Sequence, residues 1–173
     1  MTLNEPDLNV KVNVKIAKRE FIPDPQGDVM GIDGTTGRYG DWAAQEVHNL
    51  LTSEGRDFLH EQGYETSGLG TNGGNYLALT VNSDAAATAD TTLTGEITDD
   101  GLERAQGTFT HVAGNTTSTI AKTFTATGTH TAVQKSGLFT ASTAGTMVHE
   151  ATFSSVNLAT NDQLAVTWTV TLS

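Results

Sequence analysis

Three histidines, His111, His130 and His149, follow one another at equal intervals of nineteen residues in the second half of the chain. Imidazole nitrogens are zinc ligands, and three of them with one open position form a catalytic zinc site. The spacing therefore predicts a candidate transition-metal centre if three neighbouring strands bring the rings to one height. The alternative is three unrelated histidines at or near the surface, because equal spacing along the chain does not require equal height.

Three aspartates, Asp24, Asp28 and Asp33, lie in a stretch rich in Gly, Pro and Asp. Carboxylates and loop carbonyls are the ligands that Ca²⁺ prefers. Their spacing lacks the D-x-[DN]-x-[DN]-G pattern of a calcium loop, so a solvated acidic loop is the alternative. Because both candidate metal groups are incomplete as patterns, we expect no cofactor.

Signatures of nucleophilic or acid–base catalysis are missing from the sequence. The chain has no cysteine, which excludes disulfides, thiolate zinc sites and thiol nucleophiles. Ser67 stands in Glu-Thr-Ser-Gly-Leu, which is not the G-x-S-x-G of a hydrolase. The neighbouring Asp99 and Asp100 lie in a turn, whereas a glycosidase needs two carboxylates facing each other across a cleft. We expect a protein that is not an enzyme.

The charge balance limits the possible partners. The formal net charge is −11, and an acidic body repels phosphate backbones, so we expect no nucleic-acid binding. The first residues lack the charged and apolar regions of a signal peptide. No apolar run is long enough to span a membrane, so the expectation is a protein made in the cytoplasm of the cell that produces it.

The elements that must position these residues are strands. In residues 163–172, apolar side chains from Leu164 to Leu172 alternate with Thr and Ala, and Trp168 belongs to the apolar set. A period of two places one set inward and the other on the solvent face. Six or seven such segments with short turns predict a mainly β protein, an antiparallel β-sandwich of jelly-roll or Ig-like type.

A further strand is predicted near the N-terminus, where Val10, Val12, Val14 and Ile16 alternate with Lys11, Asn13, Lys15 and Ala17. Lysines on one strand face guard exposed sheet edges, and they can equally dock against an acidic neighbour. The docking alternative predicts a partner-binding strip, which comprises Val10, Lys11, Val12, Lys15 and Lys18. This strip could attach the chain by adding a strand to the sheet edge of a neighbour.

The chain divides into two predicted parts. Residues 22–41 are predicted to form a long irregular loop, and together with the basic strand they make residues 1–41 a candidate attachment arm. Residues 42–63 have an apolar stripe, Trp42, Val47, Leu50 and Leu51, at near-helical spacing, which predicts a helical segment. Residues 42–173 then form the sandwich domain with this segment before it, and Trp42 and Trp168 are predicted to anchor its core.

A set of short motifs between residues 49 and 172 resembles small structural proteins of tailed bacterial and archaeal viruses. The motifs are NLLT at 49–52, NYLALT at 75–80, DTTL at 90–93, KTFTA at 122–126, GLF at 137–139, GTMV at 145–148 and QLAVTWT at 163–169. The resemblance implies a virion component with a β-sandwich body and transfers no catalytic or ligand residue. The acidic composition fits a haloarchaeal tailed virus.

The resemblance leads to three functional alternatives. The first is a non-enzymatic virion protein on the capsid surface, as decoration or turret, whose partners are other copies and major capsid proteins. The second is a tail adaptor, baseplate or fibre component whose loops bind a receptor. The third is a carbohydrate-binding module that recognises a glycan of the host surface, since β-sandwiches support many functions.

Overall fold

The computed structural model describes residues 10–24, 29–31, 34–55 and 73–172. Two five-stranded antiparallel sheets pack face to face, which confirms the predicted β-sandwich. The strands are β1 (Val10–Arg19), β2 (Phe21–Pro23), β3 (Val29–Met30), β4 (Thr36–Tyr39), β5 (Ala43–His48), β6 (Leu50–Leu51), β7 (Tyr76–Thr80), β8 (Ala105–Gln106), β9 (Thr108–His111), β10 (Thr117–Thr125), β11 (His130–Phe139), β12 (Met147–Leu158) and β13 (Gln163–Leu172).

The first sheet has the order β5-β1-β13-β10-β9. Its register pairs Val14 with Trp168, and Trp168 in turn with Ile120, so the apolar sets of three strands lie side by side on one face. Trp168 has no exposed surface, which confirms its predicted inward orientation. Burial of this face is the main favourable contribution to folding, about 1.5–3 kcal/mol for each large apolar side chain.

The second sheet has the order β6-β12-β11-β7-β8. Its inner face contributes Leu77, Leu79, Leu138 and Phe153 to the same core. Its outer face carries a smaller apolar cluster of Ala78, Leu93, Phe139 and Met147. Because Leu93 comes from the segment between β7 and β8, that segment forms a third layer over the outer face of the second sheet.

At both long edges of the sandwich, the chain passes directly from a strand of one sheet to a strand of the other. β5 pairs with β1 in the first sheet, and after Asn49 the chain continues as β6, which pairs with β12 in the second. At the opposite edge the chain crosses between β8 and β9 at Gly107. A Cβ at Gly107 would lie 2.5 Å from Leu77 Cδ1 and 2.7 Å from Ile120 Cγ2, so only glycine fits between the sheets.

The prediction of a helix over 42–63 is wrong for residues 43–51, which form β5 and β6. Ala43, Ala44 and Glu46 are good helix formers, but here the unpaired edge of β1 offers them main-chain partners. Val47 packs against the core as a strand residue. Residues 53–55 are helical, and residues 56–63 lie outside the described part of the chain.

The described part of the predicted irregular loop forms a small third sheet of order β2-β4-β3. Arg19, at the end of β1, fastens this sheet to the sandwich, since its guanidinium stacks on Tyr39 and Trp42 at 4.1 and 4.6 Å from the ring centroids. The prediction that Trp42 anchors the core is wrong, because the residue is 41% exposed beside Arg19. The guanidinium, rather than the apolar core, holds the indole.

Candidate functional site

The outer face of the first sheet is a broad surface of small side chains, which we call the threonine face. Alternation places its members on the side of the sheet that points away from the core. Its residues are Lys11, Asn13, Lys15 and Ala17 of β1, Thr108 and Thr110 of β9, Thr119, Ala121 and Thr123 of β10, and Ala165, Thr167, Thr169 and Thr171 of β13. Thr is β-branched and suits a pleated surface in contact with water.

Two exposed lysines give this face a local positive charge on a chain of net charge −11. Lys11 pairs in register with Thr171, and Lys15 lies between Thr167 of β13 and Glu46 of β5. In-register neighbours point to the same side of a sheet, so the exposed Glu46 lies beside Lys15 on this side. The face therefore combines rows of uncharged short side chains with two cations, one of which has a carboxylate beside it. This chemistry favours contact with a flat, acidic protein surface.

The other residues of the predicted partner-binding strip do not belong to this face. Val12 is 5% exposed and packs in the core. Lys18 forms ion pairs with Asp162 and Glu20, each at 3.2 Å. The side chain of Val10 lies outside the described residues.

Both edges of β1 are occupied, by β13 on one side and β5 on the other. The predictions that its lysines guard an exposed edge, or that β1 adds to the sheet of a neighbour, are therefore wrong. Residues 10–19 are likewise an internal strand of the sandwich and no separate arm. β13 pairs with the whole of β1 and β5 pairs with residues 13–18, so this part of β1 has no main-chain groups left for a partner strand.

The three equally spaced histidines do not form a common metal site. His111 lies on the exposed strand β9, His149 is buried in β12, and His130 begins β11. Equal spacing in the sequence does not place the three imidazole rings together, because the turns and strands between them differ in length. Each ring therefore lies in a different part of the sandwich.

One group of possible metal ligands does occur among the described residues, at the turn where β11 begins. Ligand atoms of Asp99, Asp100 and His130 lie within 4.8 Å of one another. His130 Nε2 lies 3.2 Å from Asp100 Oδ2, so a protonated imidazole would form an ion pair there without any metal. Of the predicted calcium ligands, Asp24 follows β2, and Asp28 and Asp33 lie outside the described residues.

A buried polar cluster lies on the outer face of the second sheet. Glu150 of β12 is 1% exposed, and its Oε2 lies 3.6 Å from Lys135 Nζ of β11. The amide of Ala87 donates to Glu150 Oε1 at 2.8 Å and to Asp90 Oδ2 at 2.9 Å. Burial and the hydrogen bond with Asp90 raise the pKa of Glu150 to about 7, while the same hydrogen bond lowers the pKa of Asp90.

The neighbouring residue His149 points to the opposite side of β12, into the core. Its ring lies 5.9 Å from that of Trp168, and its Nδ1 lies 2.8 Å from Asn49 Nδ2. The amide nitrogen can only donate, so Nδ1 accepts and the imidazole is neutral with its proton on Nε2. Burial lowers the pKa of His149 to about 4.

The sequence reasoning missed Lys135, Glu150 and Asp90 as a group. A signal was present, because Glu150 lies between the apolar residues Met147 and Val148 on one side and Ala151 and Phe153 on the other, where a buried charge needs a partner. The partner could not be found from spacing, since Asp90 and Lys135 approach from a loop and from another strand. A groove of about 430 Å³ lies beside the cluster, lined by His48, Asn49, Leu50, Ser83, Ala85, Ala86, Glu150, Ala151 and Thr152.

Comparison with protein-family models, with curated proteins and with solved structures finds no match for this chain. Within the described ranges, no helix has both the length and the apolar character needed to cross a membrane.

Proposed function

We propose that this protein is a non-enzymatic structural component of a virion, attached to the capsid surface as decoration or turret. The observation that carries the proposal is the threonine face, a broad surface of short uncharged side chains with Lys11 and Lys15 on an acidic molecule. The resemblance of residues 49–172 to structural proteins of tailed viruses supports the same class. Its partners are then major capsid proteins and further copies of itself.

The mechanism of attachment follows from the chemistry of this face. Short side chains lose little conformational entropy when a partner covers them, because Thr and Ala have few rotamers to restrict. The two lysines orient this protein as it approaches an acidic capsid shell. Away from the threonine face, repulsion between the acidic surfaces of neighbouring copies keeps the copies apart. Closed cyclic assembly fits such a position, because shell sites have rotational symmetry.

The test is a double charge reversal, Lys11→Glu with Lys15→Glu, assayed as copies per particle on a stained gel. Both side chains are exposed, and the new carboxylate beside Glu46 should cost about 1 kcal/mol at most, so the variant should fold. Occupancy should fall about tenfold because like charges of the two proteins then face each other. Lys18 is left unchanged, since its ion pair with the nearly buried Asp162 makes it part of the fold.

Arg38→Glu is the control for the effect of reversing one exposed positive charge elsewhere on the molecule. Arg38 is an exposed cation on β4, away from the threonine face. We expect this variant to be incorporated normally. Particles with full occupancy of the double variant would show that the threonine face takes no part in attachment.

The copy number of the wild-type protein separates the capsid from the tail. Hundreds of copies per particle indicate decoration of the capsid surface. A dozen or fewer indicate a tail adaptor, baseplate or fibre component, or a position at the fivefold vertices.

One observation favours carbohydrate binding as a second function. Trp42 is 41% exposed and is held in place by Arg19, and exposed, immobilised indoles are common platforms for sugars. A glycan array with the wild-type protein and with Trp42→Ala tests it. Binding that is lost in the variant supports a glycan site, and an array without signal removes this alternative.

A further inference from the structure

The segment between β7 and β8 includes a loop, residues 81–95, that leaves the sheet and returns to it at a single residue. We call it the covering loop. Thr80 pairs with Glu96 as an isolated bridge, and the Thr80 hydroxyl accepts from the amide of Asn82 at 3.0 Å and lies 2.8 Å from the carbonyl oxygens of Thr94 and Gly95. The base of the loop is therefore fastened by main-chain and hydroxyl contacts that contain no titratable group.

The tip of the covering loop is held differently. The amide of Ala87 donates to Glu150 and to Asp90, and the amide of Ser53 donates to the carbonyl of Thr88 at 2.8 Å. Because Asp90 Oδ2 and Glu150 Oε1 both accept from this one amide, the two carboxyl groups lie close to each other. Ala85 and Ala86 of the tip line the groove together with Leu50 of β6 and Ala151 of β12.

Two carboxyl groups can hydrogen-bond to each other only when one of them holds a proton. With that proton, Asp90 and Glu150 carry one negative charge, which Lys135 balances. Without it, the buried carboxylate of Glu150 faces the partly exposed carboxylate of Asp90, with a single ammonium group at 3.6 Å from Glu150. The tip would then be repelled from the sheet that it covers.

We propose that the covering loop is a pH-sensitive strap, whose tip lies closed over the groove while Asp90 and Glu150 share a proton and is released when that proton is lost. The charged and titratable groups that face Glu150 are Asp90 from the loop and Lys135 from β11, and His48 at the end of β5 lines the same groove. Release would widen the groove beside Leu50 and Ala151 at neutral pH and close it in acid.

The pH range follows from linkage. The closed loop raises the pKa of Glu150 from 4.5 to about 7, so the closed state binds a proton that the open state releases. The equilibrium constant for opening the loop therefore increases as the pH rises from about 4.5 to about 7, by up to about tenfold per pH unit. Above about pH 7 this constant no longer changes. Between pH 5 and pH 7 we expect the open population to rise roughly 30-fold.

Amide hydrogen exchange of the full chain, followed by residue and corrected for intrinsic rates, tests the strap. The protection of the Ala87 and Ser53 amides should fall by roughly 30-fold between pH 5 and pH 7 in the wild type. In Glu150→Gln the amide side chain donates to Asp90 at every pH, so protection should stay high across this range. Asp84→Asn is the matched control, an exposed carboxylate of the same loop, and it should respond as the wild type does.

Equal protection of the loop amides at both pH values in the wild type would overturn the proposal, and so would an unchanged pH response in Glu150→Gln. If that variant does not fold, Asp90→Asn decides instead. Its amide donates to ionised Glu150, so the strap should stay closed at pH 7, and a response like that of the wild type would contradict the proposal.

Discussion

Arg104 shows how a single residue holds a layer of this protein in place. Its guanidinium pairs with both carboxylate oxygens of Glu96, with Nε at 2.8 Å from Oε1, and it donates to the carbonyl of Ala144 at 2.6 Å. The same group lies 3.6 Å from the ring centroid of Phe139. A planar guanidinium can do all of this at once, and it joins the turn before β8 to the outer apolar cluster.

Arg104→Lys should therefore destabilise the protein although it keeps the charge. An ammonium group can neither pair with both oxygens nor stack flat on Phe139, so we expect a loss of about 1–2 kcal/mol in the free energy of unfolding. Urea denaturation measures it. Arg38→Lys, at an exposed position, is the matched control and should change the free energy by less than about 0.5 kcal/mol. Equal midpoints for the two variants would contradict the role of the guanidinium.

At the scale of elements, the sandwich depends on the two places where a strand changes sheets. The crossing at Asn49 is supported by Gln45, whose side-chain amide donates to the Ser154 carbonyl at 2.8 Å and accepts from the Ser154 amide at 2.9 Å. Gln45 thereby replaces main-chain pairing between β5 and β12. At the other crossing, the Gly107 amide donates to the Asn75 carbonyl at 2.8 Å, and the close approach of the two sheets depends on the absence of a side chain.

Gly107→Ala should disturb the crossing between β8 and β9. The added methyl group would overlap Leu77 and Ile120, so both sheets must shift, and we expect a loss of about 1–3 kcal/mol. Thermal or urea unfolding measures the change. Gly73→Ala is the control, because no atom of the described residues lies within 4 Å of its Cβ position, and it should be close to neutral. A neutral Gly107→Ala would mean that the two sheets separate easily at this edge.

At the scale of the whole molecule, His149 and Glu150 influence stability in opposite directions. His149 is neutral in the fold with a pKa of about 4, so stability falls as the pH drops from 6.5 towards 4, where the unfolded chain binds the proton. Glu150 is protonated in the fold with a pKa of about 7, so stability falls as the pH rises from 4.5 to 7. The two effects nearly cancel between about pH 4.5 and 6.5.

The wild type should therefore unfold with nearly constant free energy across that range. In Glu150→Gln only the histidine effect remains, and the free energy of unfolding should rise with pH by up to about 1.4 kcal/mol per unit. His149→Gln should show the opposite slope. Denaturation at four pH values from 4.5 to 6.5 measures how the free energy of unfolding of each variant depends on pH. Parallel pH profiles for the wild type and the two variants would contradict the cancellation of the two effects.

For β1 and β13, the sequence alone determined which side of the strand faces the core. Side-chain alternation is a local property of the extended main chain, so Val12, Trp168 and Thr167 lie on the predicted sides, and the fold class follows from it. Glu96 and Arg104 are also close in the sequence, and they pair across the turn that separates them.

The tertiary structure decided what depends on distant parts of the chain. β1 is internal because β5 and β13 both pair with it, and residues 43–51 are strands because the edge of β1 outweighs their helix propensity. Glu150, Asp90 and Lys135 meet because a loop folds back over two strands, which is why no spacing rule found them. Burial then changes their pKa values, since the energy of a charge depends on the dielectric and the neighbours that folding supplies.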